Sequence, residues 1–146
     1  MQRIAQRLSR YLPLILWMAF IFWASTSELS GQNTSRIIRP LVLWLFPGTS
    51  EEKIQVIHYV VRKLGHFTEY AILGFLAARA FSTSSGAFLR RRWFILALLL
   101  IVVYALLDEY HQTFEPNRRA SIYDSMIDSA GGLAALLVYR RRSNRA

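Results

Sequence analysis

The chain has 146 residues, 53% of them hydrophobic and 14% aromatic, with no cysteine and a formal net charge of +9. That length suits a single domain, and the missing cysteine excludes a disulfide scaffold, a thiolate metal site and a cysteine nucleophile. The excess of cations does not read as nucleic-acid binding. It lies in short runs beside long apolar segments, and basic flanks around hydrophobic stretches are a mark of membrane topology.

Four apolar segments follow one another, at about 8–26, 64–81, 93–111 and 122–139. Their apolar runs are slightly short of the roughly 20 residues that cross a hydrocarbon core, and each can borrow flanking residues. In lipid the backbone must satisfy its own hydrogen bonds, so each is expected to be a helix. The first, "LSRYLPLILWMAFIFWA", also fits a cleaved signal peptide, with a basic start, an apolar middle and Ala24-Ser25 after it. Trp17 and Trp23 are heavy for a signal core, and the rest of the chain looks polytopic. No internal repeat stands out.

Between the first two segments lies an outer loop of about 27–62. Its "LVLWLF" run sits between Pro40 and Pro47 and is too short to span, so it is expected to lie in or dip into the interface. Thr49 and Glu52 form a T-x-x-E capping signal. Ile54, Ile57, Val60, Val61 and Leu64 then recur at helical spacing. An amphipathic helix should therefore start near Ser50 and run into, or bend at, Gly65 to join the second span. The expected fold is all-α: one domain over 1–146, a four-helix transmembrane bundle with an additional extracytoplasmic interfacial helix.

Four crossings place both termini on the same side as the loop between the second and third segments. That side holds Arg3, Arg7, Arg10, Arg79, Arg90, Arg91, Arg92, Arg140, Arg141, Arg142 and Arg145, and none of the Asp or Glu residues. The positive-inside rule makes it cytoplasmic. The expected location is thus the cytoplasmic membrane, multi-pass, with both termini inside.

Every acid then falls on or near the outer side. On the second segment, Lys63, His66 and Tyr70 share one helical face, with Glu69 flanking it. On the third, Asp108 and Gln112 are four apart, with Glu109 and His111 beside them. Acids at a helix C-terminus oppose its dipole, which favours a functional reason for them. On the fourth, Asp124 and Asp128 are four apart. Asp128 lies about two turns inside, where a carboxylate needs a partner or a proton. Arg118 and Arg119 sit in a turn-prone loop between these helices.

The blander readings are that Lys63 snorkels, that Asp124 serves the helix dipole, and that the set is polar glue between helices or a salt-bridged lid. Small residues support close packing: Ala71, Gly74, Ala77 and Ala78 on the second segment, and Ala130, Gly131, Gly132, Ala134 and Ala135 on the fourth. These two helices should touch and bring His66 and Tyr70 near Asp124 and Asp128.

"KLGHFTEYAILG" followed by "DEYHQTFEPNRRASIYDSMIDSAGG" resembles the VanZ-like family of small bacterial membrane proteins. The matching positions are Lys63, His66, Tyr70, Asp108, Glu109, Gln112, Phe114, Arg118, Asp124 and Gly131, and "FWASTS" resembles the family's Ser-rich exit from the first helix. Asn117 stands where family members often carry Gly, a mild departure, since Asn tolerates left-handed turns. The resemblance covers nearly the whole chain apart from about 32–55. It implies a multi-span membrane protein linked, through the family's namesake, to glycopeptide (teicoplanin) resistance, and supplies no reaction.

The residues point to an outward-facing pocket that binds or processes a phosphate-bearing envelope lipid or lipid-linked precursor. In it Lys63 and Arg118 hold phosphate, and Tyr70, Gln112 and Asp128 also bind. His66 exchanges protons, and Asp108, Glu109 or Asp124 orients it or acts as base. The partners expected are thus the bilayer and that anionic lipid. No nucleophile motif such as G-x-S-x-G is present, and no H-E-x-x-H spacing supports a metal, so neither metal nor cofactor is expected. The competing reading is a non-enzymatic membrane module, either a small-solute or proton pathway or an assembly partner.

Overall fold

The computed structural model describes residues 2–26, 31–114 and 121–145, excepting the side chains of 2–7 and 31–34. All regular structure among them is helical: α1 Gln2–Ala24, α2 Gly31–Leu45, α3 Glu51–Ser82, α4 Ala87–Arg91, α5 Trp93–Gln112 and α6 Ile122–Ser143. α3 is the hub. It packs most extensively on α6 and also touches α1, α2, α4 and α5, while α5 packs on α6.

The expected outer loop is largely helical. α2 contains the "LVLWL" stretch and continues through Pro40, with Trp44 77% exposed and Val42 buried. Pro47 and Gly48 then turn the chain. Gly48 has φ +88°, a left-handed conformation that other residues adopt at a cost. The capping signal marks the start of α3 to within a residue. However, Ser50 is the N-cap without a side-chain cap bond, and the Thr49 hydroxyl donates back to the Phe46 carbonyl at 2.7 Å. Glu51 and Glu52 occupy the first turn, where the dipole favours them. Glu51 also pairs with Arg39 of α2, and that guanidinium holds the Glu51 carboxyl below its usual range.

α3 does not break at Gly65. It runs unbroken for 32 residues, about 48 Å at 1.5 Å per residue. With the backbone hydrogen bonds continuous, one glycine lowers helix propensity by only about 1 kcal/mol, which the packing of the flanking turns overrides.

The core is built from small and branched side chains. Leu73, Ala77 and Ala78 of α3, Ala97 and Ile101 of α5 and Leu136 of α6 are fully buried together. Polar ties hold α1 against this core. The Trp17 indole donates to the Glu69 carbonyl at 2.9 Å, the Tyr104 hydroxyl to the Met18 carbonyl at 2.5 Å, and the Tyr11 and Ser84 hydroxyls meet at 2.8 Å. The outward faces remain apolar, with Leu16, Phe22, Ile95, Leu99, Leu107, Met126 and Val138 all exposed. Among the described residues α5 alone is long and apolar enough throughout to cross a membrane. α3 is longer, but charges fill its first half. The mean hydropathy of α6 is diluted by Asp124, Asp128 and small residues.

Candidate functional site

The polar residues of α3, α5 and α6 converge at one end of the bundle. What draws α3 and α6 together is the absence of Cβ atoms. A Cβ on Gly131 would lie 2.2 Å from the Phe67 carbonyl oxygen, and one on Gly74 would lie 2.6 Å from that of Gly132. A Cβ on Gly132 would meet Ile101 of α5 at 2.6 Å. These helices therefore touch backbone to backbone, as the small-residue pattern predicts. Ala130 does not take part in that way; it is exposed and lines a groove with Leu98 and Val102 of α5.

Two rungs cross this contact. On the outer rung, the Lys63 ammonium pairs with Asp124 Oδ1, and Arg62 Nη2 lies 3.8 Å from Asp124 Oδ2. One turn deeper, His66 Nδ1 lies 3.4 Å from Asp128 Oδ1, within ion-pairing range but not in hydrogen-bond geometry. α5 closes the third side. Gln112 Nε2 donates to Asp108 Oδ2 at 3.2 Å, and Glu109 Oε2 accepts the Ser121 backbone N–H at 2.7 Å. That last bond satisfies a free donor at the start of α6, where a carboxylate suits the helix dipole. The groups are mutually close: the charges of His66, Asp108 and Asp124 all act on Asp128, and those of Asp108 and Asp128 act on the Tyr70 phenol.

Burial is nearly complete. Asp128, Gln112 and Tyr70 are 0% exposed, and His66, Asp108, Glu109 and Asp124 are each below 9%. Buried polar atoms almost always find partners. Here both Asp128 carboxylate oxygens, the Tyr70 hydroxyl, Gln112 Oε1, His66 Nδ1, His111 Nδ1 and Glu109 Oε1 have no hydrogen-bond partner within the described chain. Six of the sequence-predicted groups thus divide by environment. Asp124 is engaged by two cations and one oxygen of Glu109 by a helix start, which are structural uses of those acids. Asp128, His66, Tyr70 and Gln112 retain bonding capacity that the protein itself does not use.

One sequence assignment is revised by this geometry, and three residues join the site unforeseen. The carboxylate beside His66 is Asp128, whereas Asp108, Glu109 or Asp124 was expected to orient it; the 66/128 rung is simply one turn deeper than the 63/124 rung. Arg62 joins the site and was not singled out, since on the sequence it belongs to the run before the apolar segment. Its position next to Lys63 was the available signal. Ser121 and Ser125 were also missed. Ser125 is buried, with its hydroxyl 3.5 Å from the Ala105 carbonyl, and nothing in sequence spacing marks it. Arg118 and Arg119 lie outside the described residues. His111 is half-buried and stacks on Phe22 with ring centroids 4.4 Å apart. Among the described residues no group of three or more His, Asp and Glu side chains is placed to hold a metal.

The VanZ/LLP1 family model matches residues 11–143. The match covers nearly the whole chain, including every residue of the cluster, so the chain belongs to the VanZ/LLP1 family. No curated protein and no solved structure matches it.

Proposed function

We propose that this VanZ/LLP1 protein is a multi-span membrane protein whose buried polar cluster takes the head group of a phosphate-bearing envelope lipid or lipid-linked precursor. The observation that carries this reading is the fully buried Asp128 carboxylate with neither oxygen hydrogen-bonded, facing His66 and near Tyr70 and Asp108. A carboxylate at that depth with no hydrogen bond is costly unless something supplies donors. A hydroxyl-rich head group does so, while Arg62, Lys63 and the sequence candidate Arg118 meet its phosphate at the rim. His66, beside Asp128, is the group that moves a proton to or from a bound hydroxyl.

Four spans at α1, the second half of α3, α5 and α6 fit the apolar exterior and the ionisable cluster buried at one end of the bundle. The first half of α3 then projects past the hydrocarbon core, which is about 30 Å thick. α2 and this projecting part form the extracytoplasmic interfacial layer. A conduction pathway is the weaker alternative. The other half of the bundle is closed by Leu73, Ala77, Ala97, Ile101 and Leu136, and among the described residues no ionisable side chain is buried there. The family's association with glycopeptide resistance accords with an envelope substrate.

The test is rescue of a deletion strain by His66→Ala, Asp128→Asn and Arg118→Ala variants, read as envelope stress and glycopeptide sensitivity with immunoblots of the membrane fraction. Each variant should fail to rescue at normal abundance. Full rescue by all three would show that the cluster only glues helices together.

A further inference from the structure

At the opposite end of the bundle lies a second cleft, of about 310 Å³, between the start of α5 and the end of α6. Arg91, Arg92 and Arg140 line it, with Ser143, Asn144 and Trp93. No carboxylate lines it, and none of the three guanidinium groups has an ion-pair partner among the described residues. Arg90 is different: its Nη1 donates to the Ser84 carbonyl at 2.9 Å and so belongs to the preceding turn. The cleft is held in shape by its aromatic floor. Trp93 meets Phe94 and Tyr139 edge-on at centroid distances of 5.6 and 5.5 Å, and Arg140 lies 5.5 Å from the Phe94 ring.

The geometry points to a binding site for the head-group phosphate of an anionic phospholipid. Three forked cations without acids fix the charge of the ligand. The wall fixes its source. Trp93 begins the apolar helix α5, and Ile95, two residues on, lines the cleft and is 62% exposed. The cleft therefore sits where hydrocarbon gives way to head groups, and its ligand has a phosphate at one level and acyl chains at the next. A soluble phosphate has no use for the apolar wall. This site is distinct from the polar cluster and shares with the proposed function only the premise that α5 lies in a bilayer, which alkaline carbonate extraction checks separately.

The experiment is native mass spectrometry of the detergent-purified full chain titrated with phosphatidylglycerol or with phosphatidylcholine of the same acyl chains. Phosphatidylglycerol should bind at markedly lower concentration. Arg92→Gln/Arg140→Gln should weaken it roughly tenfold or more, at about 1 kcal/mol per cation near the surface. Arg141→Gln/Arg145→Gln removes the same charge at the same end but outside the cleft, and should retain the preference. Three results would overturn the assignment. One is no preference in the parent; another is equal loss in both arginine pairs, which means diffuse charge. The third is displacement by millimolar inorganic phosphate, which means a soluble anion.

Discussion

At the scale of single residues, the two rungs of the polar cluster make opposite predictions. Asp124 is buried and paired, so removing its partner strands a charge. Lys63→Met should destabilise the protein by about 3 kcal/mol, the low end of the range for breaking a buried pair, because Arg62 at 3.8 Å still offers partial compensation. Adding Asp124→Leu should recover most of that loss, as replacing both members of a buried pair by apolar groups often does. Chemical denaturation in detergent measures both. Asp128 differs: it faces His66 at 3.4 Å without a hydrogen bond. Its carboxylate is fully buried and has no hydrogen bond to lose, so Asp128→Leu should leave the thermal midpoint unchanged or raised while abolishing rescue. A residue kept at a cost to stability is the signature of a functional group. If Asp128→Leu instead lowers the midpoint strongly, the carboxylate serves packing. The sequence already marked Asp128 as too deep for a free charge. It also placed His66 near Asp124 and Asp128, but left open which of the two would face it at 3.4 Å, because that depends on how α3 and α6 are rotated against each other.

At the scale of helices, rotation and spacing are set by glycine. Gly131 and Gly74 sit where a Cβ would be 2.2 and 2.6 Å from backbone oxygens of the facing helix. Backbone cannot yield as a flexible side chain does, so Gly131→Ala should cost about 1–3 kcal/mol and, by pushing α6 away from Phe67, separate His66 from Asp128. Gly65 has nothing within 4 Å of its ideal Cβ. Gly65→Ala should therefore stabilise, by up to about 1 kcal/mol from helix propensity. Thermal midpoints of the two variants in the same detergent should move in opposite directions. The pattern of small residues made the α3–α6 contact legible in the sequence, but it marked Ala130 as readily as Gly131. Spacing alone does not say which small residue faces a backbone and which faces a groove. Of the two courses left open at Gly65, the continuous one holds for a related reason: a glycine permits a bend without requiring one. α2 was hard to read because Pro40 and Pro47 suggested a short interfacial run, whereas Pro40 is accommodated within a helix that begins nine residues earlier.

At the scale of the whole molecule, hydropathy and charge tell different parts of the story. Hydropathy identifies α5 without help, but it undervalues α6, whose inward acids and glycines are the features that build the cluster. Charge distribution completes the reading. The eleven arginines of 3–10, 79–92 and 140–145 are unaccompanied by any acid, and α6 carries Arg140, Arg141 and Arg142 in its last turn. Cationic loops resist translocation and acidic ones do so much less, so on the proposed topology both termini and the α4 turn face the cytoplasm. The buried acids then open to the other side. A reporter fused after Ala146 should accordingly behave as cytoplasmic, and one inserted at Gly48, in the turn between α2 and α3, as external. Replacing Arg140, Arg141 and Arg142 with Gln weakens the retention signal at one end without touching the polar cluster, so it should increase the externally oriented fraction of the C-terminal fusion. An external C-terminal reporter in the unmodified chain would put the Asp128 cluster on the cytoplasmic side, where an extracytoplasmic head group could not reach it, and the envelope-lipid reading would fail with the topology.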